Sequence, residues 1–406
     1  MRQFCSSLFI LFVVLFCVQL SVGCNKAPIE NSFKVGIIAP MSGPGRSWGL
    51  STYNAAKVIV DYHNEKGGLL IDGEQFKIEL IVADDQLDPN LAIEAAHWLA
   101  FEEKVDCIIG PLGDDAAVAV APILDLSSIA YVHYGFDPAL LGANSSGILG
   151  TPIPSQALKF LYTYMKEEKD VRTISILAND TQEGIHQKVI ADKIAREEGL
   201  IPNYIMKVDV TEEALNFDRD EGLINASIAK VVRLETDAVL LSGLPPENFL
   251  KAARLLRNFG YNGVVVAQNS QDPDLLRSLG SGSDDILFFG GFIPDTERTD
   301  YYMELTERAS KLSGSVSIET DIKLYAMETL IRFIQHHGLR ANLNKEELFA
   351  SYREFEYTDP FFIQPRTVQL VGQKDFGVRR QISVPIIISK MNSGQSRVVA
   401  VAELSE

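Results

Sequence analysis

The residues with the clearest capacity for chemistry lie in the turn GPLGDD, residues 110–115. An apolar run precedes this turn, and an alanine-rich helical pattern follows it. A glycine turn from a strand into a helix leaves backbone N–H groups exposed at the start of the helix, where they bind anions such as carboxylates or phosphates. Asp114 and Asp115 stand at that position, so the protein places its own carboxylates at a predicted anion site.

Two interpretations of Asp114 are open at this point. As an N-cap, its side chain would accept hydrogen bonds from N–H groups of its own helix, and a ligand would be held elsewhere. As a binding residue, it would accept a hydrogen bond from a ligand or contact a positively charged group of that ligand.

The rest of the sequence offers no set of residues for catalysis. It contains no Gly-x-Ser-x-Gly, no Walker loop and no His-Glu-x-x-His. The loop 41–49 has Gly-Pro-Gly but lacks the third spaced glycine of a dinucleotide site. Asp84-Asp85 and Asp114-Asp115 could pair as acid and base, although acidic loops are more often solvated or capping. We therefore expect a protein that is not an enzyme and that uses no cofactor and no metal.

The N-terminal residues 1–23 predict a signal peptide and hence export. A basic start precedes the apolar run at 8–18, which is shorter than the roughly 20 residues of a membrane span. The sequence Leu20-Ser21-Val22-Gly23-Cys24 resembles the lipobox of bacterial lipoproteins, in which Cys24 becomes the lipidated first residue. Ordinary cleavage beside an incidental cysteine is the alternative. No later stretch of sequence is long and apolar enough to span a membrane.

Charge and cysteine content narrow the class of protein further. The formal net charge of −17 argues against nucleic acid and anionic membrane surfaces as partners. Of the four cysteines, only Cys107 lies beyond the predicted signal and lipid site, so the mature chain cannot form an internal disulfide. The apolar strand around Cys107 predicts a buried, unreactive thiol.

The chain alternates apolar strand patterns with helical patterns from residue 33 onward. Strands apolar on both faces, with helices between them, predict an α/β fold of parallel sheets covered by helices on each side. We predict strands at 34–40, 76–85, 105–110, 129–135, 173–180, around 204–208, 237–243 and 263–269, with helices at 52–65, 90–103, from 114, 184–198, 223–234 and 246–259. Ligands of such folds bind at the carboxyl ends of the strands.

Several segments carry a family resemblance, including KVGIIAPMSGPG (34–45) and IIGPLGDDAAVAVAP (108–122). The pattern resembles the leucine/isoleucine/valine-binding proteins, which are the type I periplasmic substrate-binding proteins of ABC uptake systems. DAVLLSG, RLLRNFGYNG and VVVAQN continue it over the second half of the chain. The resemblance implies two Rossmann-like lobes joined by a three-stranded hinge that closes on a ligand.

Domain boundaries follow from the same resemblance. It implies crossovers near 150–154, 288–292 and 365–371. The expected parts are a lipidated tether at 24–32, an N-terminal lobe of 33–151 plus 291–367, and a C-terminal lobe of 152–290 plus 368–406.

The resemblance also assigns positions in the first lobe to the ligand site. Trp48 falls on an aromatic position that lines the ligand side chain. The serine that holds the ligand carboxylate is replaced by Gly113-Asp114, and the small-Thr pair that assists it is replaced by Gly135-Phe136. An ionised Asp114 would repel a ligand carboxylate, and Phe136 removes a hydroxyl donor.

In the second lobe, the acid that neutralises the ligand ammonium falls on Asn269 and an aromatic position falls on Glu183, with Asp180 open if the alignment slips. These departures argue against an ordinary α-amino acid and favour an amine, an amide or an aromatic compound. The candidate ligand-binding residues are Trp48, Asp114, Asp115, Tyr134, Gly135, Phe136, Glu183 and Asn269.

The resulting prediction is an exported, lipid-anchored solute receptor on the periplasmic side of the cell envelope. It would deliver a small ligand to an ABC permease of the inner membrane. The alternative is an envelope lipoprotein that uses the same fold as a sensor or an interaction scaffold.

Overall fold

The computed structural model describes residues 31–43, 45–142, 145–179, 181–202, 214–215, 221–271, 273–290, 293, 297–313, 319–338 and 345–404. The predicted signal peptide and Cys24 lie outside the described residues. The first strand already begins at Asn31, so the predicted tether ends before residue 32.

The first part of the chain forms a sheet whose central strands are parallel. Its strands are β1 (Asn31–Ala39), β2 (Leu69–Ile71), β3 (Glu74–Asp84), β4 (Cys107–Leu112), β5 (Ala130–Tyr134) and β6 (Ile148–Leu149). The helices between them are α1 (Arg46–Glu65), α2 (Pro89–His97, continued by a π-helical turn at Trp98–Glu102), α3 (Asp114–Ser127) and α4 (Pro138–Leu141). Every residue of β4 is buried, because helices cover both faces of the sheet. Cys107 is fully buried and unpaired, as predicted.

Local sequence explains where these helices begin. The side chain of Asp88 accepts hydrogen bonds from two N–H groups of the first turn of α2, and a proline occupies the first helical position. α1 starts at Arg46 and not at 52, since its first turns contain serine and glycine and show no helical apolar pattern. A Cβ on Gly49 would lie 2.0 Å from the Pro40 carbonyl oxygen, so only glycine lets α1 pack this closely on the preceding loop.

The middle of the chain forms a second sheet. Its strands are β7 (Thr173–Asn179), β8 (Ile201–Pro202), β9 (Ala214–Leu215), β10 (Ala238–Ser242), β11 (Val264–Ser270) and β12 (Ile286–Phe289). Its helices are α5 (Pro154–Glu168), α6 (Gln182–Glu197), α7 (Glu221–Val232), α8 (Pro246–Asn258) and α9 (Pro273–Arg277), with a 3-10 turn at Gly280–Ser283. α8 buries Phe249, Ala252, Ala253 and Leu256, which share one face at helical spacing. The strand predicted at 204–208 lies outside the described residues.

The last part of the chain returns to the first sheet and then to the second. α10 (Asp300–Ser313), α11 (Glu319–His337) and α12 (Lys345–Glu354) precede β13 (Glu356–Thr358), β14 (Thr367–Val371), α13 (Gln373–Phe376) and β15 (Gln381–Ile382). β16 (Ile386–Asn392) and β17 (Gln395–Ala402) end the described chain. The sheet orders are β13-β14-β15-β6-β5-β4-β1-β3-β2 and β17-β16-β12-β11-β10-β7-β8, with β9 paired to β7.

Sheet membership corrects two predictions. β14 and β15 belong to the first sheet, so the third crossover lies between Ile382 and Ile386 and not at 365–371. The segment 368–382 therefore belongs to the first lobe. Both sheets are mixed, because β2, β13, β14, β16 and β17, which lie at or next to a sheet edge, run antiparallel to a neighbour. β13 (EYT) and β14 (TVQLV) lack the continuous apolar run that identifies a buried parallel strand in the sequence.

Candidate functional site

A cleft of about 870 Å³, including its open mouth, lies between the two lobes. The first lobe contributes the ends of β4 and β5 and the start of α11, and the second contributes the ends of β11 and β12 and the start of α5. Pro385 and Ile387, which follow the third crossover, complete the wall. The strands of both lobes thus point their carboxyl ends at one cleft, which is the usual ligand position in parallel sheets.

Aromatic side chains from both lobes line this cleft. Trp48, Tyr134 and Phe136 belong to the first lobe, and Phe289 belongs to the second. Trp48 is half-buried and packs against the core of its lobe. Flat apolar walls of this kind suit a ring or a compact apolar body.

Lys323 is the charged residue among the described residues that line the cleft, and it was not predicted from the sequence. Its side chain is 8% exposed, and its Nζ atom lies 3.1 Å from the centre of the Tyr134 ring, in a cation–π contact. A signal for it does exist in the sequence, because Met327, Leu330 and Ile334 follow it at helical spacing and all are buried. A lysine on the apolar stripe of a helix is unusual unless it contacts a partner or a ligand.

Asp114 is buried, and its carboxylate is held by a neighbouring loop. Its Oδ1 atom accepts hydrogen bonds from the backbone N–H groups of Phe136 and Asp137, the latter at 3.1 Å. The N-cap of α3 is Gly113, whose φ is 85°, and no side chain caps this helix. Neither interpretation of Asp114 anticipated this contact, because it depends on a loop that lies 22 residues away in sequence. Asp114 is not among the cleft-lining residues.

Burial raises the pKa of the Asp114 carboxyl above its ordinary value, and the Phe136 N–H group opposes that increase. Burial of the Asp114 carboxylate therefore costs desolvation free energy. The hydrogen bonds from Phe136 and Asp137 and the position at the N-terminus of α3 partly offset that cost. His186 of α6, in the opposite lobe, also favours the charged form of Asp114.

The other candidate residues separate into three groups. Asp115 is exposed and does not line the cleft. Gly135 is buried without contacting the cleft, and a Cβ there would lie 2.7 Å from a methyl group of Leu140. The side chains of Glu183 and Asn269 lie outside the described part of the structure. Gln268, the residue before Asn269, does line the cleft.

The two carboxyls of Asp84-Asp85 have separate environments. Asp84 accepts hydrogen bonds from the Met41 N–H group at 2.8 Å and the Ser42 hydroxyl at 2.7 Å, and so holds the loop that leads to Trp48. Asp85 is fully buried, and burial raises its pKa to about 6. Neither lines the cleft, so they do not form an acid–base pair facing a ligand.

A direct contact joins the lobes at the α1 end of the cleft. The Ser47 hydroxyl, in the first turn of α1, donates to Glu247 Oε1 at 3.2 Å. Gly45, the N-cap of α1, supplies no side-chain cap, so the carboxylate of the other lobe lies where a capping residue usually stands. Burial raises the pKa of Glu247, while its hydrogen bonds with Ser47 oppose that shift.

Neither a cluster of metal-ligating side chains nor a membrane-spanning helix is found among the described residues. No group of three or more His, Cys, Asp or Glu side chains within them has the arrangement of a metal site. Among the same residues, no helix has both the length and the apolar character needed to cross a lipid bilayer.

Two α/β lobes with a cleft between them define a class of proteins that bind small solutes. The chain belongs to the periplasmic binding protein family, whose model matches residues 32–393. Its members are solute-binding proteins, which confirms the prediction of a protein that is not an enzyme.

Sequence identity to Leu/Ile/Val-binding proteins is low. The Leu/Ile/Val-binding protein BraC3 of Rhizobium johnstonii is 28% identical over 244 residues, which cover 59% of this chain and 62% of that protein. The match thus spans less than two thirds of that relative.

Solved structures share the fold at low identity. The branched-chain amino acid transporter substrate-binding protein LivJ of Streptococcus pneumoniae, in complex with isoleucine, has a TM-score of 0.71 at 16% identity, covering 93% of this chain and 100% of that chain. A solute-binding protein of R. palustris in complex with benzoate has a TM-score of 0.73 at 14% identity, covering 93% and 98%. They show the two-lobe fold of the type I periplasmic binding proteins.

The Asp114 contact predicts a loss of stability when its carboxylate is removed. Asp114→Ser leaves the N–H groups of Phe136 and Asp137 without their acceptor, so we expect the free energy of unfolding to fall by about 2 kcal/mol. Urea denaturation of the purified domain measures this change. Asp115→Ser is the matched control, and its exposed side chain should change stability by less than about 0.5 kcal/mol. Equal effects of the two substitutions would contradict the assignment.

The contact between Ser47 and Glu247 predicts how charge affects closure of the lobes. Burial raises the pKa of Glu247, so the closed form binds a proton more readily than a form in which this carboxyl is exposed to water. Lowering the pH through the pKa that Glu247 has in the closed form should therefore favour closure. Glu247→Gln keeps an acceptor for Ser47 without a buried charge and should also favour closure. Small-angle X-ray scattering without ligand should then give a smaller radius of gyration.

Ser47→Ala serves as the opposing variant, because it removes the hydroxyl donor and should shift the lobes toward the open form. An expanded Glu247→Gln protein, or identical scattering from all three proteins, would show that this contact does not influence closure.

Proposed function

We propose that this protein is an extracytoplasmic receptor that closes its lobes on a small organic acid with an apolar, preferably aromatic, body and delivers it to an ABC permease. The observation that carries the ligand class is Lys323, a buried cation in a wall of aromatic and aliphatic side chains. An ammonium has three N–H donors, so a ligand carboxylate can share Lys323 with the protein groups around it. Removal from water strengthens that charge-assisted hydrogen bond.

The position of Asp114 argues against an ordinary α-amino acid. The family resemblance places the ligand carboxylate at the turn before α3 and at the Gly135-Phe136 pair. The Asp114 carboxylate already occupies the N–H groups of Phe136 and Asp137 there. A ligand carboxylate at this point would meet a like charge and find its donors engaged.

The charge of Lys323 also predicts an order of affinity for the three ligand classes that the sequence leaves open, namely an amine, an amide and an aromatic compound. An amine in this cleft would bring a second ammonium close to a buried one, which is unfavourable where water is scarce. An aromatic acid can contact the aromatic side chains and form a charge-assisted hydrogen bond with the Lys323 ammonium. An amide can make the same ring contacts, but its neutral carbonyl forms a weaker hydrogen bond with that ammonium. Proteins of this fold hold ligands as different as isoleucine and benzoate, so the fold accommodates either type.

A matched ligand series tests this ranking. Benzoate, benzamide and benzylamine share one ring and differ in charge, and L-leucine represents the branched-chain amino acids. We expect isothermal titration calorimetry to give the affinity order benzoate, benzamide, benzylamine, with leucine undetected. Lys323→Met keeps the length of the side chain and should weaken benzoate binding by about 10- to 100-fold, equivalent to about 1.5–3 kcal/mol.

Lys311→Met, on the exposed surface of α10, is the control and should leave benzoate affinity unchanged. Preference for benzylamine would overturn the role of Lys323. No binding by any compound, in calorimetry or in a wider thermal-shift screen, would favour the sensor or scaffold alternative over the receptor.

The anchor at Cys24 is a second part of the proposal, and it rests on the sequence pattern at 20–24 alone. In a bacterial host that processes lipoproteins, the wild-type protein should fractionate with membranes, and Cys24→Ala should be released into the soluble envelope fraction. Cys17→Ala, within the predicted signal, should behave as wild type. Recovery of the wild-type protein in the soluble fraction would show ordinary signal cleavage in its place.

A further inference from the structure

The second-lobe wall of the cleft holds a polar side chain whose hydrogen bonding is incomplete. Gln268, at the end of β11, lines the cleft and is only 4% exposed. Its Nε2 atom donates to the backbone carbonyl of Gln187 at 3.4 Å. Because a carbonyl oxygen can only accept, this contact determines which end of the amide is nitrogen.

The remaining atom of that amide is an acceptor without a donor. Gln268 Oε1 is buried and receives no hydrogen bond within the described part of the chain. Buried polar atoms in folded proteins are nearly always paired, and an unpaired one at a binding site is usually completed by a ligand or by water. A ligand group that pairs with this oxygen must be a donor, that is, a hydroxyl or an N–H.

Gln268 and Lys323 belong to opposite lobes and line the same cleft. One supplies an acceptor and the other supplies donors with positive charge, while aromatic side chains lie along the walls between the lobes. A ligand that meets both must carry an anion at one end and a hydrogen-bond donor at the other. The inference rests on the proposed function, since it assumes that the anion is held at Lys323.

We propose that Gln268 is a specificity-determining residue that selects organic acids with a hydroxyl or amino substituent remote from the carboxylate. In the closed protein the substituent donates to Gln268 Oε1 and the carboxylate contacts Lys323. An unsubstituted acid leaves the buried oxygen unpaired, so it binds less well despite its greater hydrophobicity. Discrimination is strong because a site built to pair with a polar group is penalised when that group is missing.

The test compares benzoate with para-hydroxybenzoate and meta-hydroxybenzoate by isothermal titration calorimetry. We expect at least one hydroxybenzoate to bind the wild-type protein about tenfold or more tightly than benzoate. Gln268→Met has a similar shape but no acceptor, and it should abolish that preference while it retains benzoate affinity within about threefold. Circular dichroism melting confirms that each variant is folded.

Gln271→Met is the matched control. Gln271 is 1% exposed, and neither of its side-chain polar atoms has a hydrogen-bond partner among the described residues, yet it does not line the cleft. Its replacement should change thermal stability without changing the preference for the hydroxylated acid.

The outcomes separate this inference from the proposed function. If the three acids bind with equal affinity, or if Gln268→Met retains the hydroxyl preference, the role of Gln268 is wrong and the acid-binding function stands. If none of the acids binds to the wild-type protein, the proposed ligand class is wrong and the role of Gln268 is overturned with it.

Discussion

The hydrogen bonds from the backbone of Phe136 and Asp137 to the Asp114 carboxylate join the two first-lobe loops that face the cleft. One loop leads from β4 into α3, and the other leads from β5 into α4. The N–H groups of Phe136 and Asp137, where β5 leads into α4, are thus satisfied by a carboxylate of the protein itself. The positions of Tyr134 and Phe136 relative to α3 depend on this contact. The proposed ligand is therefore expected to contact other groups of the cleft.

Removal from water increases the influence that polar groups of the cleft wall have on ligand binding. Lys323 and Gln268 are both more than nine-tenths buried, and each lies in an apolar wall of a different lobe. In such a setting a charge or an unpaired acceptor favours one type of ligand group and penalises the alternatives. In the proposed function these two polar side chains define the ligand class, and the aromatic walls contact its apolar body. The Ser47–Glu247 contact adds a link between the lobes outside the ligand itself.

Much of the fold could be predicted from the residues. Buried parallel strands such as β4 are continuous apolar runs, and the glycine turns that follow them are visible in the sequence. The third crossover was misplaced because β14 and β15 are short strands whose sequence pattern does not reveal which sheet they join. The start of α1 was also missed, since its N-cap residue is Gly45, which has no side chain to act as a capping signal.

The strand–helix alternation in the sequence determined the α/β fold with ligand sites at the carboxyl ends of the strands, and the resemblance to the leucine/isoleucine/valine-binding proteins indicated the class of protein. It also identified Trp48, Tyr134 and Phe136 as residues near that cleft. Only the tertiary structure decided the role of Asp114, whose acceptor function depends on a distant loop. It alone brought Lys323, from a helix late in the chain, against the ring of Tyr134. Contacts of this kind join residues far apart in sequence, so local sequence patterns cannot predict them.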